Sequence, residues 1–251
     1  DRLTLKQDGG PTQTSSTLSV GTLPGSGVST IVGPAGTQQV FFEELEPVVD
    51  SVPAATMTLN SLPGISTLLD GDNAINYTTG LLFDNTWGRV TVDNFEPLEF
   101  KNKDALIIDA GAGSDVTNLN NPFTPTGSTP GGLKSITVNG DDPTASDTLI
   151  ANGTTAVDAI SFSPLGADLG TISGAGPVLI AMANEGPAAA LTVSQYALSP
   201  FRTDDTAKIV LRRSPISTGT AALSLLANMS FMEFGRCCTG LYMRRIGIVF
   251  F

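Results

Sequence analysis

The chain has 251 residues, with 24 acidic and 13 basic residues, no histidine and a formal net charge of −11. The absence of histidine excludes serine–histidine and cysteine–histidine nucleophile systems and histidine zinc sites. The acidic balance argues against a surface that follows nucleic-acid phosphates. Gly and Pro account for 43 residues, and hydrophobic residues for 41% of the chain. This composition favours short strands joined by turns over long helices or disorder, and it predicts an all-β fold.

The two ends of the chain bear on its compartment. The sequence starts at Asp1, so we expect a mature or excised piece of a longer protein. It contains no run of 18 apolar residues, and no helix is expected to span a bilayer. The only cysteines, Cys237 and Cys238, are adjacent and indicate no disulfide framework. A composition poor in Cys, His and Lys and rich in Thr, Asn, Gly and Asp is typical of secreted bacterial proteins.

Internal similarity begins near residue 40. VFFEELEP at 40–47 resembles VTVDNFEP at 90–97, 50 residues later. Each segment is followed by an apolar stretch, TMTL at 56–59 and ALII at 105–108. The two blocks are interpreted as copies of one structural repeat.

A second similarity has a different interval. AINYT at 74–78 resembles AISFS at 159–163, 85 residues later, and residues 117–153 are interpreted as inserted turns. A smaller unit also recurs, in which an acidic corner precedes a short apolar strand. Its corners are Asp72, Asp104, Asp147, Asp158 and Asp205. Aspartate suits such corners because its side chain bonds the backbone two residues further on.

Short strands with a corner after each one are what a parallel β-solenoid requires, because each coil buries its inner face on the next. We therefore predict a right-handed parallel β-helix with irregular rungs over residues 1–201. Tandem β-sandwich modules, with hairpin turns between strands, are the alternative. Alternate apolar side chains are expected to point inward and to stack across rungs. They are Ile75, Tyr77, Val90, Val92, Phe95, Leu106, Ile108, Ile136, Val138, Leu149, Ile160, Phe162 and Ile172.

Several segments together carry a family resemblance. They are LEPVVDSVPAAT (45–56), GDNAINY (71–77), VTVDNFE (90–96), NNPFTPTG (120–127) and ITVNGDDPTASDTLI (136–150). The sequence resembles the large, repetitive, predicted secreted proteins of planctomycete-type bacteria, which are similar to adhesin and calcium-binding-repeat β-solenoids. The resemblance covers residues 17–195. It implies a secreted or surface structural protein and supplies no catalytic residues.

The last fifty residues differ in charge from the rest. Residues 1–201 carry six basic and 21 acidic groups, whereas residues 202–251 carry seven basic and three acidic groups. We interpret 202–251 as degenerate terminal rungs or a C-terminal cap, since terminal repeats are usually atypical. A shifted reading frame at the end of the gene is the alternative.

Candidate sites are few. AGAGSD at 110–115 approaches a calcium-roll repeat but occurs once, and an ordinary aspartate corner is the favoured interpretation. Paired carboxylates could hydrolyse glycosidic bonds, but adjacent ones on a strand point to opposite faces. These carboxylates are Glu43, Glu44, Glu46, Glu96, Glu99, Asp141 and Asp142. Glycine-rich segments at 25–27, 33–36 and 111–113 are predicted turns. Trp87 is the only tryptophan available for sugar stacking.

No catalytic residue, metal or cofactor is therefore predicted. The expected function is a non-enzymatic structural or adhesive module of an extracellular or cell-surface bacterial protein. Its expected partners are neighbouring repeats, other cell-surface proteins or glycans, with self-association possible and no nucleic acid. A polysaccharide lyase or hydrolase on a β-helix scaffold is the alternative. A cleft lined by clustered Asp, Lys or Arg would favour the enzyme, and a smooth surface of Thr and Asn would favour the structural role.

Overall fold

The protein folds almost entirely into strands. The structure, a computed structural model, describes residues 1–21, 23–61, 71–120, 129–140, 147–153, 160–165, 169–175, 178–183, 190–196, 206–212, 235–237 and 240–242. These residues form 20 strands and one 3-10 turn, Pro130–Gly132, which confirms the predicted all-β class. None of the described segments contains a helix long and apolar enough to cross a membrane.

Nine strands form the first mixed sheet, sheet 1. In spatial order they are Leu3–Leu5 (β1), Val48–Asp50 (β5), Leu98–Phe100 (β9), Gly88–Val92 (β8), Ala74–Thr79 (β7), Val116–Asn120 (β11), Thr148–Asn152 (β13), Ala190–Tyr196 (β17) and Thr206–Arg212 (β18). The run from β7 to β17 pairs in parallel, whereas β7–β8, β8–β9 and β17–β18 pair antiparallel.

Nine further strands form sheet 2. In spatial order they are Ser161–Pro164 (β14), Leu169–Ser173 (β15), Leu179–Ala183 (β16), Ser135–Asn139 (β12), Lys103–Asp109 (β10), Ala54–Ser61 (β6), Gln13–Val20 (β2), Gly27–Gly33 (β3) and Gly36–Phe42 (β4). The run from β2 to β16 is parallel, and antiparallel strands flank it on both sides. A separate hairpin joins Gly235–Cys237 (β19) to Gly240–Tyr242 (β20).

The predicted right-handed parallel β-helix is wrong, because both sheets are mixed and neither forms a solenoid. The glycine-rich segment at 33–36 is a turn, as predicted, but it reverses the chain within sheet 2. Gly33 and Gly36 face each other across a two-residue connection, and Gly36 has a φ of +120°, so β3 and β4 form a tight hairpin. The chain reverses within the sheet at such a turn instead of continuing into another rung.

The described residues do not form tandem sandwich modules, the alternative fold, either. Their larger hydrophobic cluster extends from Leu18 to Met182 and contains inward-facing side chains of both sheets. In sheet 2, Met57, Leu106 and Ile136 occupy paired positions on β6, β10 and β12, so apolar side chains stack across neighbouring strands. The two sheets therefore share one core.

The predicted inward-facing residues are confirmed. Ten of the thirteen are buried, and Phe95, Ile160 and Phe162 are partly buried and pack against the same core. Strand alternation was sufficient to identify them, because a strand with one buried face shows its apolar side chains at every second position.

The internal similarities do not mark a structural repeat. Residues 40–47 start in β4 of sheet 2, whereas residues 90–97 start in β8 of sheet 1. Residues 74–78 lie in β7 of sheet 1, while 161–163 lie in β14 of sheet 2. One alignment does correspond to the structure: Thr56–Leu59 pairs in register with Ala105–Ile108 as neighbouring parallel strands.

The predicted acidic corners are partly correct. Asp72 and Asp147 lie just before β7 and β13, as expected for corners. Asp104 lies inside β10 rather than at a corner. Asp158 and Asp205 fall outside the described residues.

Candidate functional site

A groove with a volume of about 480 Å³ lies on the described surface. It lies against β1 and β5 at the edge of sheet 1 and is bordered by the connection between β7 and β8. Three cationic residues, Arg2, Lys6 and Lys101, line it, together with the aromatic residues Phe83 and Trp87. This volume lies in the range of small-molecule binding sites.

The aromatic pair orients two of the cations. The rings of Phe83 and Trp87 stack with their centroids 4.4 Å apart and their planes inclined by 24°. The Arg2 guanidinium carbon lies 5.7 Å from the Phe83 ring centre, and Lys101 Nζ lies 5.4 Å from the Trp87 ring centre. Both distances allow cation–π attraction. The rings thus hold positive charge at the groove surface.

A buried carboxylate fixes the connection that carries these rings. Glu99 is 1% exposed, and it accepts hydrogen bonds from Leu81 N at 2.8 Å and from Leu82 N at 3.1 Å. Arg89 Nε lies 3.9 Å from the same carboxylate. Trp87 N and O bond to backbone atoms of Asp84 and Gly80, at 3.2 and 2.6 Å. The aromatic pair therefore sits on a hydrogen-bonded loop.

A buried ion pair lies behind the groove wall and joins the two sheets. Lys103 Nζ of sheet 2 lies 2.9 Å from Asp50 Oδ1 of sheet 1, and their side chains are 0% and 1% exposed. Lys103 Nζ also donates to Val52 O. Asp50 accepts further bonds from Ser16 Oγ at 2.5 Å and Val52 N at 2.9 Å. Burial lowers the pKa of Lys103, and the Asp50 charge acts in the opposite direction. The pair therefore links the two sheets within the core.

A second polar feature is a ladder of Asn and Asp side chains at the starts of β7, β11 and β13. Asn73 N donates to Asp115 Oδ1 at 2.8 Å, and Asp115 N donates to Asp147 Oδ1 at 2.9 Å. Ser114 N donates to Asp72 Oδ1 at 2.8 Å. Asp115, the last residue of the 110–115 segment, lies just before β11 and takes part in this ladder. Each carboxylate holds the backbone of a neighbouring strand.

Asp115 lies at the centre of this ladder, and the pKa of its carboxyl group is raised. Its side chain is 1% exposed, and its Oδ2 atom has no hydrogen-bond partner within the described part of the chain. Burial raises the pKa of Asp115 to about 6, and repulsion from Asp72 and Asp93 adds to the rise, while hydrogen bonds from Asn73 oppose it. Within the described ranges, no group of three or more Asp, Glu, Cys or His side chains is placed to hold a metal ion.

This arrangement predicts a pH dependence of stability. Between about pH 4 and 6 the folded chain retains a proton on Asp115 that the unfolded chain releases. The free energy of unfolding therefore falls as pH rises through this window. We expect D115N to remove roughly 2–3 kcal/mol of this pH-dependent change, because an amide cannot ionise. Urea unfolding at several pH values measures it, with D104N, an exposed carboxyl on β10, as the control. Parallel pH curves for D115N and the unmodified chain would contradict the assignment.

None of the remaining carboxylate candidates among the described residues lines the groove. Glu43, Glu44 and Glu46 are exposed. Glu96 Oε2 accepts a hydrogen bond from Gly25 N, and its pKa is raised first by burial and further by the nearby Glu46. Glu46 and Glu96 therefore lie close together, whereas Glu99 binds backbone amides of the connection between β7 and β8. Asp141 and Asp142 lie outside the described residues.

Sequence reasoning missed the groove. Its cations are separated by almost one hundred residues, and only the fold brings Arg2 and Lys101 together. A usable signal was the scarcity of basic residues, since residues 1–201 contain six in total and three of them line the groove. No protein-family model, curated protein or solved structure matches this chain.

Proposed function

We propose that the protein is a non-enzymatic structural or adhesive module of a secreted or cell-surface bacterial protein. The observation that carries the proposal is the open groove in which Arg2 and Lys101 are held over stacked aromatic rings. Such a surface combines a fixed shape with a few oriented polar groups, as binding sites do. The resemblance to planctomycete surface proteins supports the extracellular placement.

The use of the buried charges also supports a binding role. Glu99 is occupied by backbone amides, Asp50 by Lys103, and the Oδ1 atom of Asp115 by the backbone amide of Asn73. Outside the core, amide side chains link neighbouring strands: Asn118 Nδ2 donates to Asn76 Oδ1 at 3.2 Å. Surface ladders of this kind suit a rigid scaffold that presents a binding surface.

A polysaccharide lyase or hydrolase is the second candidate. The clustered cations of the groove favour it, because cations neutralise the acid group of a uronic-acid substrate. Asp8 is the only carboxylate among the groove-lining residues, and it is exposed and lies 3.3 Å from Lys6 Nζ. The groove itself therefore offers no second carboxylate for a glycosidase pair.

The proposal is tested by measuring whether surfaces retain the chain and whether the chain cleaves the glycans on them. Beads coated with the chain are passed over surfaces carrying neutral glycans, acidic glycans, cell-surface proteins or the chain itself. We expect retention on at least one of these surfaces and no release of shortened glycans or unsaturated sugar products. Release of such products, abolished by substitution of Asp8, Arg2 or Lys101, would replace the adhesive role with the enzymatic one. Beads that no surface retains would contradict the adhesive role.

A further inference from the structure

We propose that the groove binds a glycan segment bearing an isolated acidic sugar, such as a single uronic acid among neutral sugars. This inference rests on the proposed adhesive function and adds its ligand class. The distribution of charge supports this ligand class. Three of the six basic residues in 1–201 line this one groove, on a region with 21 acidic groups. Cations concentrated on an acidic surface mark a position where a negative group is stabilised.

Two of these cations are available to a ligand. Lys6 pairs with Asp8, but no salt bridge joins Arg2 or Lys101 to a carboxylate in the described residues. Lys101 has a weaker influence on Asp84, whose pKa is lowered mainly by hydrogen bonds from Thr86. The aromatic rings beneath Arg2 and Lys101 limit their motion without neutralising them. Both groups are therefore positioned to form charge-assisted hydrogen bonds with a carboxylate.

Neutral polar and aromatic side chains complete the lining. Thr4, Gln7, Ser51 and Asn102 supply hydroxyl and amide groups. Gln7, Ser51 and Asn102 already donate to backbone carbonyls, so their side-chain oxygens are the atoms that can accept hydrogen bonds from sugar hydroxyls. Phe83 is 48% exposed and offers apolar surface to the carbon–hydrogen face of a sugar ring. Cations, neutral polar groups and an exposed ring together match a hydroxylated, ring-shaped anion better than a bare inorganic anion.

The same charges disfavour polyanions. Two free cations would neutralise few phosphates, whereas nucleic-acid binding relies on many. The acidic remainder of the chain would repel a long run of negative groups, and an acidic peptide offers no hydroxylated ring for the polar lining. An isolated acid group among neutral sugars avoids this repulsion.

Tryptophan fluorescence tests the inference directly. The chain has one tryptophan, and it lies in the groove, so its emission reports on this site alone. The probes are an oligosaccharide with one uronic acid between neutral sugars, its carboxyl-reduced counterpart, a polyglutamate peptide and a single-stranded oligonucleotide. We expect the uronate oligosaccharide to bind about tenfold or more tightly than each of the others, and added salt to weaken it. Equal binding of the reduced sugar, or tighter binding of the peptide or oligonucleotide, would overturn the proposal.

Variants separate this inference from the adhesive proposal. R2Q and K101Q should each weaken binding of the uronate oligosaccharide about tenfold, whereas K134Q should not change it. Lys134 is a matched control because it is an exposed lysine, paired with Asp104 at 2.9 Å, that does not line the groove. Beads carrying R2Q/K101Q that are retained on acidic glycans as well as the unmodified chain would overturn the groove assignment while leaving the adhesive role intact. Failure of the unmodified chain to be retained on any surface would instead overturn the adhesive role.

Discussion

Substitution of Lys103 by methionine is expected to lower the free energy of unfolding by about 3–5 kcal/mol. Methionine fills a similar volume but leaves Asp50 as a buried charge whose remaining donors are the Ser16 hydroxyl and the Val52 amide. Because Lys103 and Asp50 belong to different sheets, the loss also removes a link across the core. Urea unfolding followed by circular dichroism at neutral pH measures the change.

A double variant and a surface control accompany this measurement. K103M/D50N removes both charges, and we expect it to be about 1 kcal/mol or more stable than K103M alone, since no uncompensated charge stays buried. The double variant also keeps the test informative if K103M does not fold. K134M is the matched control: its pair with Asp104 is 74% and 58% exposed, and we expect a change within about 1 kcal/mol. Equal losses in K103M and K134M would show that the buried pair contributes no more than a surface pair.

The inner faces of the strands could be predicted from the sequence alone. Ile75 and Tyr77, two residues apart on β7, are both fully buried, and so are Leu106 and Ile108 on β10. Alternation is a local property that depends only on which face of a strand meets the core. It holds equally for a solenoid and for a mixed sheet, so the core was identified correctly although the fold was not.

The order and direction of the strands could not be derived in this way. The connection between Gly33 and Gly36 closes a hairpin, yet glycine-containing corners of the same kind would also fit a rung. The in-register pairing of Thr56–Leu59 with Ala105–Ile108 added to the impression of a solenoid, because parallel neighbours share similar environments and select similar residues. Neither observation specifies whether the next strand reverses or continues.

The groove could not be predicted from the sequence, for a related reason. Lys101 follows β9 directly, Arg2 precedes β1, and β5 lies between these two strands in sheet 1. Their proximity is therefore a consequence of strand order, which was the incorrect part of the prediction. Trp87 is recognisable in the sequence as the only tryptophan. Its stacking on Phe83, however, depends on a loop whose conformation is fixed by Glu99 from another strand.

Truncation of Leu106 to alanine is expected to cost about 2–5 kcal/mol of stability. Its side chain is fully buried and lies between Met57 and Ile136 at paired positions of the adjoining strands, so the cavity left behind is enclosed on both sides. L179A is the matched control, because Leu179 lies on β16 of the same sheet and is 47% exposed. We expect less than about 1 kcal/mol for this control, measured by urea unfolding under the same conditions. A cost for L179A equal to that for L106A would mean that the inner face of sheet 2 is assigned incorrectly, since the two substitutions remove the same atoms and differ in burial.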